Sequence, residues 1–197
     1  MLSTKLKNYK IILASGSPRR QQFFKDLAID FEIRLKDIAE VYPDALQGVE
    51  ITNYLAELKA AAFVGELKED ELLVTSDTIV WLNNSALGKP KDYEDAFQIL
   101  RSLSNQTHEV ITSVCFKTTL KTDTIYDVTK VTFNPLSDED IRYYLDHYKP
   151  FDKAGAYGIQ EWIGLVGISK IEGSYTNVVG LPTEKVYQYL SNFEVSS

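Results

Sequence analysis

The chain has 197 residues, 44% hydrophobic and 25% charged, the proportions of a globular protein large enough to build a core without staples. Lys and Arg total 21 against 28 Asp and Glu, a net charge of −7, which argues against a nucleic-acid partner because polynucleotide binding needs a basic face. A single cysteine, Cys115, and two widely separated histidines, His108 and His147, leave no material for an internal disulfide, a multi-thiolate zinc site or a histidine-rich metal centre.

In chain order, short β-rich runs alternate with helical periodicity, the pattern of an α/β fold. Residues 10–14 (KIILA) read as a buried strand, 18–27 as a helix with Phe23, Phe24 and Leu27 on its apolar side, and 31–35 as a short strand. A polar loop with Pro43 and Gly48 leads to a helix over about 50–65, whose stripe is Ile51, Tyr54, Leu55, Leu58 and Ala62. Residues 72–82 form a long apolar strand interrupted at Ser76-Asp77-Thr78. After the Gly88-Lys89-Pro90 turn, Tyr93, Ala96, Phe97 and Leu100 mark another helix.

Two β-rich runs follow, near 108–118 and 124–133, with Thr122-Asp123 as the turn between them. Ile141, Tyr144, Leu145 and Tyr148 define a helix N-capped by Ser137. Residues 154–172 are Gly-rich and β-like, and Val186, Tyr189, Leu190 and Phe193 mark a closing helix. Adjacent β runs without an intervening helix imply a mixed sheet. The expected organisation is one domain over 1–197, in one body or two closely packed lobes. No apolar run approaches the ~20 residues of a membrane span, and the stretch at 11–14 is too short for a signal peptide, so a cytoplasmic location is expected.

Four segments carry chemistry. Ala14-Ser15-Gly16-Ser17-Pro18-Arg19-Arg20 joins a strand to a helix: Gly16 allows a tight turn, Ser17 can cap and Pro18 suits the first helical position. The helix N-terminus offers free backbone N–H groups to an anion. Arg19 and Arg20 in the first turn oppose the helix dipole unless an anion binds there. The competing reading is two surface arginines paired with nearby carboxylates. No Walker loop occurs.

Asp77 lies within an apolar strand, where an ionised carboxylate costs several kcal/mol unless paired, metal-bound or opening into a cleft. The alternative is a strand break with Asp77 capping a turn. Ile79 occupies the position where haloacid-dehalogenase-type phosphatases carry a second Asp. Lys59, one step beyond its helix's apolar stripe, Lys89 and Glu40 are each unremarkable alone. Ala154-Gly155-Ala156-Tyr157-Gly158-Ile159-Gln160 and the segment 173–182 bring glycines that let backbone approach a ligand, and Gln160 offers a donor–acceptor pair suited to a base edge.

Together these segments resemble the Maf family of nucleoside triphosphate pyrophosphatases over nearly the whole chain. The carriers are LASGSPRR at 13–20, Glu40 after DIA, Leu58-Lys59-Ala60, SDTIV at 76–80, Gly88-Lys89-Pro90, THEVIT at 107–112, KAGAYGIQ at 153–160 and YTNVVGLP at 175–182. The resemblance implies an ITPase-like fold: a strongly twisted mixed central sheet flanked by helices, with two lobes around a substrate cleft. It implies hydrolysis of a nucleoside triphosphate to the monophosphate and pyrophosphate with Mg²⁺ or Mn²⁺, and a homodimer. It makes Asp77 the proton acceptor, with Ser15, Arg19, Arg20, Glu40, Lys59 and Lys89 handling phosphate and metal, Glu40 and Asp77 being the cation's ligands.

Arg19, Thr78 and Gln160 match the marks of the subfamily acting on dTTP and UTP, and none of the three marks of the 7-methyl-GTP type is present. Ser76 stands where the family usually has Ala, and Ser113 and Glu161 where Gly is common; the last places a charge beside Gln160. The competing functional reading is a non-catalytic nucleotide-binding regulator of cell division.

Overall fold

The computed structural model describes Leu2 and residues 6–193. Strand β1 (Lys10–Leu13) runs into helix α1 (Pro18–Asp26), then β2 (Phe31–Ile33), α2 (Val49–Ala61), β3 (Glu71–Leu82), β4 (Ser85–Leu87) and α3 (Tyr93–Leu103). The long strands β5 (Thr107–Lys117) and β6 (Thr122–Phe133) follow, then α4 (Asp138–Tyr148), a 3₁₀ turn (Ala154–Ala156), α5 (Trp162–Gly167), β7 (Ile168–Glu172), α6 (Tyr175–Val179) and α7 (Thr183–Ser191). The sheet order is β2-β1-β3-β5-β6-β7, with β4 also paired to β3. Pairs β1–β2 and β1–β3 are parallel, while β3–β4 and β6–β7 are antiparallel, so the sheet is mixed as expected.

Two compact units divide the chain. One takes the residues up to Asp77, Thr112–Asp127 and the segment from Gly180 onward; the other takes Thr78–Ile111 and Val128–Val179. In the first unit β1 is apolar at three successive positions because both its faces are covered. Ile11 and Leu13, with Leu72 and Val74 of β3, pack against Phe24 of α1 and Val186 and Leu190 of α7. Ile12 and Leu73, on the other face, meet Ala56 and Ala60 of α2.

In the second unit Val80 and Leu82 pack with Ala96, Phe97 and Leu100 of α3 and with Ile141, Tyr144 and Leu145 of α4. Ser137 caps α4 in a full capping box with Asp140. Among the described residues no helix is long and apolar enough to cross a membrane.

Four expectations change. First, β3 is not interrupted at Ser76-Asp77-Thr78; it runs unbroken from Glu71 to Leu82. Second, α2 ends at Ala61, and its buried face is Ile51, Thr52, Leu55, Ala56 and Ala60, with Tyr54 38% exposed and Thr52 at 0%. Polar contacts set this rotation: Thr52 Oγ1 lies 2.7 Å from Ser113 Oγ, and Thr75 Oγ1 donates to the Ala56 carbonyl at 2.6 Å.

Third, the β5–β6 turn lies before Thr122, because the Thr118 hydroxyl accepts from the Leu120 and Lys121 amides and closes the chain there. Fourth, only Ile168–Glu172 of the region 154–172 is strand. The apolar run at 162–167 coils into α5, burying Ile163 while leaving Leu165 82% exposed, a helical and not an alternating pattern.

Gly155 is required by packing within the second unit. Its φ is +70°, and a Cβ there would lie 2.6 Å from Val80 Cγ2. Gly155→Ala should lower the unfolding free energy by about 2–4 kcal/mol, the sum of left-handed strain and overpacking. Chemical denaturation reads this directly, and an unchanged midpoint would contradict it.

His108, on β5, is buried with Nε2 2.7 Å from the Tyr157 hydroxyl, and burial pushes its pKa down to about 4. The unfolded chain takes up a proton near pH 6.5 and the folded one only near 4, so His108 contributes stability that is complete above 6.5 and lost as pH falls. The loss between pH 7 and pH 4 should be about 3 kcal/mol. Denaturation of His108→Gln over the same range should show a decline smaller by that amount, whereas parallel declines would refute the assignment.

Candidate active site

The first unit gathers one side of the site around the β1–α1 turn. Ser17 caps α1, its Oγ accepting from the Arg20 amide at 3.5 Å, and Pro18 starts the helix. Ser15 Oγ accepts from the Ser17 amide at 3.3 Å, and Gln21 Nε2 donates to the Ser15 carbonyl at 3.1 Å, which stiffens the turn from both sides. No acidic side chain stands in the first turn of α1, while Arg19 and Arg20 do. Such a terminus favours an anion.

Arg20 has a structural role that the sequence reading did not assign. Its Nε donates to the Gly180 carbonyl at 2.8 Å and its Nη1 to the Ser76 carbonyl at 3.1 Å. Arg20 therefore ties α1 to β3 at the residue before Asp77 and to the segment entering α7. Burial lowers its proton affinity, opposed by Asp77 and Glu40 and aided by Arg19. It stays protonated, since a guanidinium does not lose its charge in proteins.

The centre of the site is a lysine shared by two carboxylates. Lys59 Nζ lies 2.7 Å from Asp77 Oδ1 and 2.7 Å from Glu40 Oε1. Strand alternation puts Leu73, Thr75 and Asp77 on the α2 face of β3, and the rotation of α2 that buries Thr52 and Ala56 carries Lys59 to that face. The side-chain exposures are graded: 8% for Asp77, 16% for Lys59 and 45% for Glu40. Of the readings open for Asp77, the structure realises the cationic partner and excludes the strand break. Removing the lysine would leave Asp77 buried without its contacting cation and with Arg20 as the remaining nearby positive charge, a destabilising change.

Glu40 and Asp77 meet at one ammonium, so their oxygens stand within two hydrogen-bond lengths of each other. Two carboxylates are the protein share of a Mg²⁺-type site completed by substrate phosphates. Among the described residues there is no group of three or more His, Cys, Asp and Glu that could hold a metal by itself. The donor set thus fits a hard cation brought with an anionic substrate, and does not fit an all-protein cage.

Thr78, Lys89 and Gln160 belong to the second unit. Thr78 follows Asp77 on β3 and is half-buried, Lys89 is exposed after β4, and Gln160 is exposed after Ile159. Glu161, beside Gln160, accepts from the Tyr144 hydroxyl and pairs with Lys153 Nζ at 3.2 Å. Its charge is thereby engaged within the unit. Ser113 is likewise absorbed, donating to Asn53 Oδ1 at 2.7 Å. The Ser76 hydroxyl is buried without a hydrogen-bond partner, and nothing in the structure explains it.

Sequence reading missed a second buried carboxylate, Glu71, at the start of β3. Arg34 holds it in a fork, Nη2 to Oε1 at 2.9 Å and Nη1 to Oε2 at 3.1 Å, and this holds its carboxyl down to about pKa 2. The available signal is an acid opening an apolar run, weaker than that of Asp77, which lies inside the same run.

The Maf-like protein family model matches residues 10–193. A Flavobacterium psychrophilum protein named dTTP/UTP pyrophosphatase is 72% identical over 192 residues, covering 98% of this chain and 98% of that relative. A Christiangramia forsetii protein of the same name is 54% identical, covering 96% of this chain and 97% of the relative. Among solved structures, the Staphylococcus aureus Ham1 protein is similar with a TM-score of 0.48 at 15% identity, over 63% of this chain and 71% of that one. The family match spans nearly all of the described residues, and the relatives align over almost their whole length. The chain belongs to the Maf family.

Proposed function

We propose that this chain is a nucleoside triphosphate pyrophosphatase that hydrolyses dTTP and UTP to the monophosphate and pyrophosphate. The observation that carries the reading is Asp77, buried in an unbroken strand and paired with Lys59 and Glu40, in a chain 72% identical to a protein named for that activity. A buried carboxylate with a lysine beside it can accept a proton and place a positive charge on a leaving group, the two tasks this hydrolysis demands.

In this mechanism the positive end of the α1 dipole and the Arg19 side chain draw in phosphate oxygens, while Arg20 holds the turn against β3 with two of its donors. Water attacks the α-phosphorus, its proton passes to an Asp77 carboxylate oxygen, and the bond from the α-phosphorus to the bridging oxygen of the β-phosphate breaks. Pyrophosphate leaves with the bond's electron pair, and Lys59 and Lys89 offset its charge. Glu40 and Asp77 would hold Mg²⁺ or Mn²⁺, which when bound supplies Lewis-acid polarisation of phosphoryl oxygens. Ser15 keeps the turn in shape for this binding, and Thr78 and Gln160 discriminate the pyrimidine, with the Gln160 amide matching the O4/N3–H edge. A cytoplasmic location belongs to the same reading, and the family resemblance adds a homodimer.

Incubation with dTTP and Mn²⁺ followed by product separation should give dTMP and pyrophosphate. Asp77→Asn should lower kcat by about 10²–10⁴ while leaving the denaturation midpoint within reach of wild type. dTDP plus phosphate, or an unaffected Asp77→Asn, would overturn the reading. Gln160→Ala should lower kcat/KM for dTTP roughly tenfold and leave a non-pyrimidine triphosphate little changed; equal losses on both would remove Gln160 from base selection.

A further inference from the structure

The Lys59 ammonium sits on the oxygens that the proposed cation needs. Its Nζ is 2.7 Å from both Asp77 Oδ1 and Glu40 Oε1, and at 16% exposure it is not a loosely tethered surface charge. A divalent ion seated between the same carboxylates, with ligands at about 2.0–2.1 Å, would share its acceptor oxygens with the ammonium and stand only a few ångströms from a like charge, so each weakens the other's hold on those two atoms. Moving the ion to the outer oxygens of each carboxylate does not remove the conflict, because a dication and an ammonium would then face each other across two carboxyl groups. The local charge points the same way. With Lys59 in place the three side chains carry a net −1, and without it −2. A lysine holds its charge on a flexible four-carbon stem, so it can leave one anion for another without unfolding its helix.

We propose that Lys59 competes with the divalent cation for Glu40 and Asp77, and that the triphosphate relieves the competition. The phosphates draw the ammonium off the carboxylates, and the oxygens so released accept the cation. Nucleotide and metal then bind as a coupled pair, each raising the affinity of the other by the same factor. The free protein has weak affinity for the metal alone, and Asp77 is held neutralised until substrate arrives. This rests on the proposed pyrophosphatase function and adds to it an order: cation capture depends on the anion that moves Lys59.

The test uses the full chain and Mn²⁺ alone, with free Mn²⁺ measured by electron paramagnetic resonance and no nucleotide present. Lys59→Met should bind Mn²⁺ at least tenfold more tightly than wild type, and Asp77→Asn in the Lys59→Met background should abolish the gain. Catalysis should fall in Lys59→Met although metal binding improves, a combination that a merely structural lysine would not produce.

Lys59→Gln, whose amide can still donate to one carboxylate, serves where Lys59→Met does not fold, with the same direction expected. A folded variant that binds Mn²⁺ no more tightly than wild type overturns the proposal. So does a gain that survives Asp77→Asn. The product assay with dTTP is independent of these titrations. Wild-type cleavage to dTMP without a metal gain in the variants rejects the competition alone, and a metal gain without cleavage rejects the activity alone.

Discussion

An ionised carboxylate in the middle of a buried strand cannot stand without a counter-charge, and the arrangement of the first unit follows from supplying one to Asp77. Lys59 meets that need only because α2 packs with Thr52, Leu55 and Ala56 inward, which sets Lys59 over β3. That rotation is itself held by polar contacts, Thr75 to the Ala56 carbonyl and Thr52 to Ser113. The hydrogen bonds that fix the helix on the sheet are thus also those that aim the lysine. Glu40 joins from an irregular segment and shares the same ammonium, so one cation organises two acids from separate stretches of chain.

Arg20 plays the corresponding part on the opposite face of β3. Two of its donors are committed to backbone carbonyls at Ser76 and Gly180, which joins the β1–α1 turn, the Asp77 strand and the entry to α7. An arginine fixed in this way is a poor free clamp but a good frame: it sets where the α1 N-terminus lies relative to Asp77. Its charge also adds to the local field that an incoming phosphate meets. The net −7 describes the chain as a whole, whereas the candidate site carries Arg19, Arg20 and Lys59. Net charge and site charge are separate quantities, and only the second bears on the reaction.

Much of this was legible in the residues. The β1 turn and α1 were readable because the turn chemistry is local: Gly16, Ser17 and Pro18 act within four positions of one another. Asp77 stood out because a charge in an apolar run always demands an explanation. The partner of Asp77 was not readable. Lys59 looked like a residue beside its helix's stripe, and the stripe itself was displaced, since the burial of Thr52 depends on a contact with Ser113 on a distant strand. The region 154–172 failed for a related reason. Its Ile, Val, Tyr and Trp content matches β propensity, but propensity in such runs yields to packing, and Ile163 is buried by a helical turn.

The departures from the family pattern separate into those that packing absorbs and one it does not. Glu161 could have placed a negative charge against a bound base, yet its carboxylate is taken by Tyr144 and Lys153. The Tyr144 hydroxyl also accepts from the Gly158 amide at 2.9 Å, so the same bond network shapes the backbone leading to Gln160. A glycine in place of Glu161 would leave that hydroxyl with one partner fewer and Lys153 with Asp152 alone among its ion pairs. The added acid is therefore a support for the segment that carries Gln160. Ser113 is absorbed in the same manner and takes part in the rotation of α2 that aims Lys59. Two of the three departures thus act on the positioning of proposed site residues, one on Gln160 and one on Lys59, through hydrogen bonds to side chains that never need to touch a substrate.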